Sequence, residues 1–224
     1  MWSDVVCPFC WIGKHRLEQA LALLGANAPA VELHWQPFLL DPAAGEDPVP
    51  LRQAYAAKFG GPERTEQLLA QAQASARADG LPMDFSRGQV KVSTRKAHRL
   101  LWLAGRHGVQ DAVAEALFRA HFAEGRNLAD VQVLVEAAAA GGIDAAQVQA
   151  LLASDQGVAE LEQCMARARA LGIVSVPTFV IDGRYVVQGA QPAEVFAQAL
   201  ARIAASGTTP AATGPACDSD GCAT

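Results

Sequence analysis

Two cysteines separated by a proline and a phenylalanine, Cys7-Pro8-Phe9-Cys10, are the residues of this chain best placed to do chemistry. A two-residue spacer keeps both sulfurs on one turn, close enough to close a disulfide with little backbone movement. An apolar run, MWSDVV, precedes them and an amphipathic one, WIGKHRLEQALALL, follows. The dithiol therefore sits where a short strand feeds a helix. The first helical turn has unpaired N–H groups and partial positive charge. Both stabilise a thiolate, the nucleophilic form of cysteine. Pro8 suits that turn because its missing N–H would have no partner there. The chemistry implied is thiol–disulfide exchange.

The same spacing is also half of a zinc site, which needs two further thiolate or imidazole ligands. Cys217 and Cys222 supply them only if the C-terminal segment crosses back over the molecule. A zinc pair also has no use for a proline and a phenylalanine inside it. The redox reading is the better one.

Positioning such a dithiol takes a scaffold, and its elements are legible in outline. Leu17, Ala20, Leu21 and Leu24 share one face of a helix expected over 11–24, which Gly25, Asn27 and Pro29 end. Residues 31–40, VELHWQPFLL, alternate and predict a second strand, with Pro37 at an edge or a strand end. A loop rich in proline and acid, DPAAGEDPVP, follows. From 51 to 171 no strand is expected. Helices are predicted at 51–59, 62–78, 94–106, 109–123, 129–140, 144–153 and 156–171, divided by turn signals such as Gly60-Gly61-Pro62 and Gly141-Gly142. Ser93 or Thr94 is placed to cap the helix through His98, and Asp130 and Asp144 fall in first turns, where the helix dipole favours acids. Strand pattern returns over 175–182 and 185–188, joined by Asp182-Gly183, a hairpin signal. A last helix is expected to start at Pro192, and 206–224 cannot build a core.

The order is thus β-α-β, a long helical stretch, then β-β-α. The two β-rich ends bury their apolar faces only by pairing in one sheet. The predicted class is α/β, a thioredoxin-like β-α-β / β-β-α core with a large all-helical insertion. Residues 1–48 and 172–205 form the core, 49–171 an inserted helical subdomain lying as a lid beside the dithiol, and 206–224 a flexible tail carrying CxxxxC.

Composition narrows the function classes. Of 224 residues, 51% are hydrophobic and 18% charged, enough for a sizeable core. A net charge of −5 argues against nucleic acid or an anionic membrane as partner. No apolar run has the length of a membrane span, and no basic segment followed by an apolar one marks a leader. Five cysteines, an odd number, do not pattern as a disulfide-stapled scaffold. A reducing, cytoplasmic setting with a cycling dithiol is expected.

Val176-Pro177 opens the third strand, where proline gives the ladder no donor. Thioredoxin-like proteins place a cis-proline there, facing the CxxC and leaving the preceding backbone free to pair with an incoming chain. With CPFC in the same sequence, cis is expected here. WSDVVCPFCWIGKHRLEQAL at 2–21, AHRLLWLA at 97–104, LFRAHFAEG at 117–125 and GIVSVPTFVIDGRYVVQGAQP at 172–192 resemble the DsbA-family thiol–disulfide oxidoreductases, in their FrnE-like branch. The resemblance runs in order over about 2–200. It implies that Cys7 is the attacking nucleophile, Cys10 the resolving thiol and Pro177 the cis-proline. The chain departs from these relatives in three places. Phe9 stands where they carry tryptophan, Ser175 where glycine is usual, and the opening strand is shorter than theirs. Met1 is accordingly expected to be a misassigned start, which a native mass above 23.5 kDa would reveal.

Around the dithiol, Cys7 is expected to be the more exposed sulfur, and the spacer's lack of histidine predicts a moderate oxidant. Pro8, Phe9, Trp11, Val176 and Pro177 are the candidates for binding substrate. Asp4 is read as capping the helix, with proton acceptance from Cys10 as the alternative. Lys14, His15 and Arg16 read as a solvated face; His34, His98, His107 and His121 as ordinary histidines; Cys164 as a small buried hydrophobe. Cys217 and Cys222 are a possible auxiliary redox pair, a soft-metal site or an incidental pair. The expected partners are thiol- or disulfide-bearing proteins or glutathione, with no other cofactor and no confident metal. The competing functions are a glutathione-dependent isomerase or transferase of the 2-hydroxychromene-2-carboxylate isomerase type, and a non-enzymatic holdase or metal-buffering protein.

Overall fold

The structure is a computed structural model that describes residues 1–206 and, in backbone alone, 217–218 and 221–222. Its first strand, β1 (Trp2–Ser3), runs parallel to β2 (Gln36–Pro37) and antiparallel to β5 (Thr178–Ile181). β5 turns back into β6 (Tyr185–Gln188), giving the order β2-β1-β5-β6. The Gln36 and Phe38 N–H groups donate to the Met1 and Ser3 carbonyls at 2.8 and 2.9 Å. Pro37, with no N–H, therefore faces away from β1 at the sheet edge, as its chemistry requires. The strand expected over 31–40 is reduced to these two residues, because β1 offers no longer partner. The hairpin turn uses Asp182 and Gly183 at φ +50° and +67°, the left-handed pair that such a turn demands.

Helix α1 (Pro8–Leu24) begins three residues before the expected start, with Cys7 as its extended N-cap and Pro8 in its first turn. It crosses from β1 to β2 and packs against α9 (Ala193–Ala205), for which Pro192 is the N-cap rather than the first helical residue.

Between β2 and β5 lie α2 (Leu51–Phe59), α3 (Pro62–Ala78), α4 (Arg95–Arg106), α5 (Gln110–Phe122), α6 (Val131–Ala139), α7 (Ala145–Leu152) and α8 (Val158–Ala170). Each falls within two residues of its expected bounds. Asp130 and Asp144 cap α6 and α7, accepting from Gln132 and Ala146 N–H at 2.8 and 2.7 Å. Thr94 occupies the N-cap of α4 without a side-chain cap bond. One strand pair was not expected here: β3 (Val49–Pro50) pairs antiparallel with β4 (Val90–Lys91). Two residues are too short to show alternation in a sequence. A further short antiparallel pair, β7 (Cys217–Asp218) with β8 (Gly221–Cys222), sets Cys217 opposite Cys222 in the backbone.

Helix α1 shares one core with the helical stretch. The Trp11 ring stacks on Phe118 at 6.2 Å and on Phe122 at 6.0 Å, and Trp35 closes on Phe118 at 5.7 Å. Leu100, Leu117 and Leu134 complete the contact, fully buried. Each such side chain contributes roughly 1.5–3 kcal/mol of transfer free energy, so the dithiol's helix is held firmly from behind.

Candidate active site

Cys7 and Cys10 are both free thiols. The Cys7 N–H donates to the Asp4 carbonyl and the Cys10 N–H to the Cys7 carbonyl, both at 3.0 Å, which folds 4–10 into a tight turn into the helix. Cys7 is 5% exposed and Cys10 fully enclosed. The Cys7 thiol points at the Val176 carbonyl, 3.8 Å away, and the Val176–Pro177 peptide bond is cis. Burial above all, and then the neighbouring Cys7 sulfur, push the Cys10 thiol well above its ordinary pKa, against smaller opposing effects from Ser3 and the Asp4 backbone. Cys10 therefore keeps its proton at neutral pH.

Cys7 opens into a groove of about 380 Å³. One wall is Pro8, Phe9 and Val176. The other comes from the helical stretch, through Leu51, Tyr55, Phe59, Leu69 and Phe85, with Lys58 and Lys91 among the few charges. Phe9 is 41% exposed at its mouth. Tyr55 stays a protonated hydrogen-bond donor, because burial, with Cys7 and Asp4 adding to it, raises its hydroxyl to about 12.

Behind the dithiol lies a buried polar cluster. Asp4 does not cap α1, contrary to expectation. Its Oδ2 accepts the Leu40 N–H at 2.8 Å, and its Oδ1 lies 3.4 Å from His98 Nε2, with both side chains almost wholly buried. The two atoms are in contact, but their angles do not make a hydrogen bond. His98 is thus no ordinary helix histidine. His121, buried beneath the same cluster, is held neutral by burial, its pKa lowered to about 4.

The structure moves several other expected residues. Trp11 is 0% exposed and lies in the core, so it binds no substrate; its Nε1 donates to Glu115 at 3.0 Å. Lys14, His15 and Arg16 are not a solvated face. Lys14 is buried among Glu18, Glu115 and Asp111 at 2.8, 3.1 and 3.5 Å. Burial opposes its charge, but the three carboxylates outweigh that and raise its pKa. Arg16 binds Asp79 at 2.8 Å and the Ala190 carbonyl, while His15 lies 3.6 Å from Glu18. His34 is exposed beside Glu32, and His107 is exposed at the end of α4. Cys164 is buried but is no simple hydrophobe, since its sulfur is in a disulfide. The side chains of Cys217 and Cys222, read as a possible auxiliary redox pair, a soft-metal site or an incidental pair, lie outside the described residues. Among the described residues, no group of three or more His, Cys, Asp or Glu side chains is arranged to hold a metal, and no helix is long and apolar enough to cross a membrane.

Sequence reasoning missed Ser3, Tyr55 and Gly13. Tyr55 and Ser3 carry no signal, as nothing in their spacing ties them to the dithiol. Gly13 does: a glycine inside a helix costs about 1 kcal/mol relative to alanine, and here the reason is the closeness of Pro177 to the helix.

A mixed sheet, with a dithiol at a helix start facing a proline loop, defines a thioredoxin-fold protein. The chain belongs to the DsbA-like thioredoxin domain family, whose profile matches residues 1–201. It is 39% identical to a probable DsbA oxidoreductase from Streptomyces coelicolor, over 100% of this chain and 97% of that one, with a TM-score of 0.85. Two more distant structures share the fold. The cytosolic disulfide reductase DsbM from Pseudomonas aeruginosa, also solved with glutathione, is 19% identical over 91% of this chain and 97% of its own, with a TM-score of 0.62. A 2-hydroxychromene-2-carboxylate isomerase is 16% identical over 92% and 95%, with a TM-score of 0.65.

Proposed function

We propose that the chain is a thiol–disulfide oxidoreductase acting through Cys7 and Cys10 on disulfides of proteins or small thiols. One arrangement carries this reading: two free sulfurs at one helix start, the outer opening into an apolar groove and the inner sealed behind it. Cys7 attacks the substrate disulfide, forming a mixed disulfide and releasing one substrate thiol. Cys10 then attacks the Cys7 sulfur, releasing the second thiol and leaving the Cys7–Cys10 disulfide. Reversed, the same steps hand a disulfide to a dithiol.

Val176, whose backbone precedes the cis Pro177, supplies the edge against which a substrate strand pairs, while the Pro177 carbonyl is taken by the Gly189 N–H. Pro8 and Phe9 form the rim under it. Glutathione is a partner in this reading. The DsbM structure solved with it supports that, as does Lys58, a cation suited to a small thiol's carboxylate; Lys91 is already paired with Asp41. No cofactor beyond the exchanging thiols is required. A cytoplasmic setting is proposed, supported by the fold shared with a cytosolic reductase. The isomerase shares the fold, but isomerisation has no use for a resolving thiol, and Cys10 is poised as one.

The test is the redox state of Cys7–Cys10 across graded glutathione buffers, read by alkylation and mass. The expected outcome is a reversible two-electron transition, with tenfold changes in the oxidised-to-reduced ratio for about every 30 mV. If no disulfide forms across the range, the oxidoreductase reading fails.

A further inference from the structure

Cys164 lies on α8, 3% exposed, with its sulfur in a disulfide. The chain has five cysteines, at 7, 10, 164, 217 and 222, and the first two are free thiols. Within one chain, the partner of Cys164 is therefore Cys217 or Cys222. The backbone favours the second, because β8, the strand of Cys222, packs against α8. Strand β7 sets Cys217 directly opposite Cys222. Facing residues of an antiparallel pair have Cα atoms about 4.5–5.5 Å apart, which a disulfide also spans. Three cysteines thus come together at α8, away from the CPFC turn.

A link from 164 to 222 closes a loop around β5, β6 and α9. That loop includes the cis Val176–Pro177 bond, whose Val176 carbonyl faces the Cys7 thiol. Closing a long loop restricts the unfolded chain and so stabilises the folded one. In the reducing setting proposed above, such a bond is made and broken rather than permanent.

We propose that Cys164, Cys217 and Cys222 form a second redox site: a Cys164–Cys222 disulfide staples the C-terminal segment to α8, and Cys217 opens it. Opening is an exchange within the chain. The Cys217 thiolate attacks the Cys222 sulfur, and an S–S bond forms between them. The bond from Cys222 to Cys164 breaks, and Cys164 leaves as a thiolate that takes up the proton Cys217 gave up. No electrons leave the protein. Closing from the fully reduced state consumes one molecule of oxidised glutathione and releases two of the reduced form. Cys164 is too enclosed for ready attack by a thiol from solution, so the tethered one is the way in. The site stands whatever chemistry Cys7 and Cys10 perform.

The experiment oxidises the full chain with excess oxidised glutathione, blocks the remaining thiols in weak acid, and cleaves before aspartate. Cuts at Asp155, Asp182, Asp218 and Asp220 put Cys164, Cys217 and Cys222 on separate peptides. The expected product joins residues 155–181 to 220–224. Thermal melting then reads the staple. On reduction the wild type is expected to lose about 5–10 °C more than Cys164→Ser does. Opening by about 0.1 mM reduced glutathione is expected to slow about tenfold in Cys217→Ser, since a tethered thiol acts at millimolar effective concentration. A Cys164 peptide that is blocked as a free thiol, or joined to 182–217, would overturn the assignment. Equal melting shifts in wild type and Cys164→Ser would overturn the staple, and equal opening rates would overturn the role of Cys217. Should Cys164→Ser not fold, Cys217→Ser with Cys222→Ser removes the same bond from the other end.

Discussion

A Cβ placed on Gly13 would stand 3.2 Å from Cγ of Pro177 and 3.3 Å from the Phe179 ring. Helix α1 carries a glycine at the point where the proline loop lies against it, six residues after Cys7. The distance between Cys7 and the Val176 carbonyl is set by how closely those two segments pack.

Gly13→Ala weighs two effects. Alanine gains about 1 kcal/mol of helix propensity. Against that, two buried groups must yield, and Phe179 is pinned edge-on to Phe196 at 4.8 Å. Overpacking of a tight core costs roughly 1–3 kcal/mol. A net loss of stability of about 1 kcal/mol is expected in denaturant titration, with slower Cys7-dependent exchange. A variant as stable and as fast as the wild type would show that the loop moves freely.

How much of this was legible in the sequence depended on the range of the interaction. The helices from α2 to α8 were readable almost to their ends, because glycine turns and apolar periodicity are local. Strand length was not, since it is set by the partner: 31–40 has ten residues of strand character but only Trp2 and Ser3 to pair with. The dithiol was visible because its chemistry is written within four residues. Trp11 and Lys14, in the same stretch, were misjudged because what surrounds them comes from α5, about a hundred positions away. The contact between Asp4 and His98 belongs to the same class.

The Cys10 thiol gives the reduced protein a pH signature. Its folded pKa is raised above the unfolded value near 9, so its contribution is fully present below that pH. Above it the unfolded chain loses a proton that the native state keeps. Stability then falls with rising pH, by at most about 1.4 kcal/mol per unit. The oxidised protein has no such proton to lose. Tyr55 adds the same loss to both forms, so denaturant titrations of the two between about pH 8 and 10 should still show the reduced form losing more. Parallel curves would mean that Cys10 is not buried as a thiol.

His121 has the opposite sign. Burial lowers its pKa from 6.5 to about 4, so the unfolded state binds the proton first as pH falls. The stabilisation is present above about pH 6.5 and is lost progressively towards pH 4, by up to about 3 kcal/mol. His121→Gln should therefore flatten the acid limb of the stability curve relative to wild type. The carboxylates titrate in both proteins, so the difference isolates the imidazole. An unchanged limb would mean that His121 is hydrated in solution.

Lys14 tests a different kind of burial. Its ammonium stands among Glu18, Glu115 and Asp111, and Glu115 also accepts from Trp11 Nε1, so one side chain ties the dithiol's helix to α5. Lys14→Met keeps the stem and removes the charge, leaving three carboxylates facing one another. Breaking a buried pair costs roughly 3–5 kcal/mol, but these carboxylates keep 31–49% exposure and rehydrate. A loss of about 1–2 kcal/mol at neutral pH is the expected result. Because the loss is repulsion, it should shrink when salt is added. A deficit indifferent to salt would assign it to lost packing of the lysine head, and the carboxylate cage would then contribute nothing to holding α1 in place.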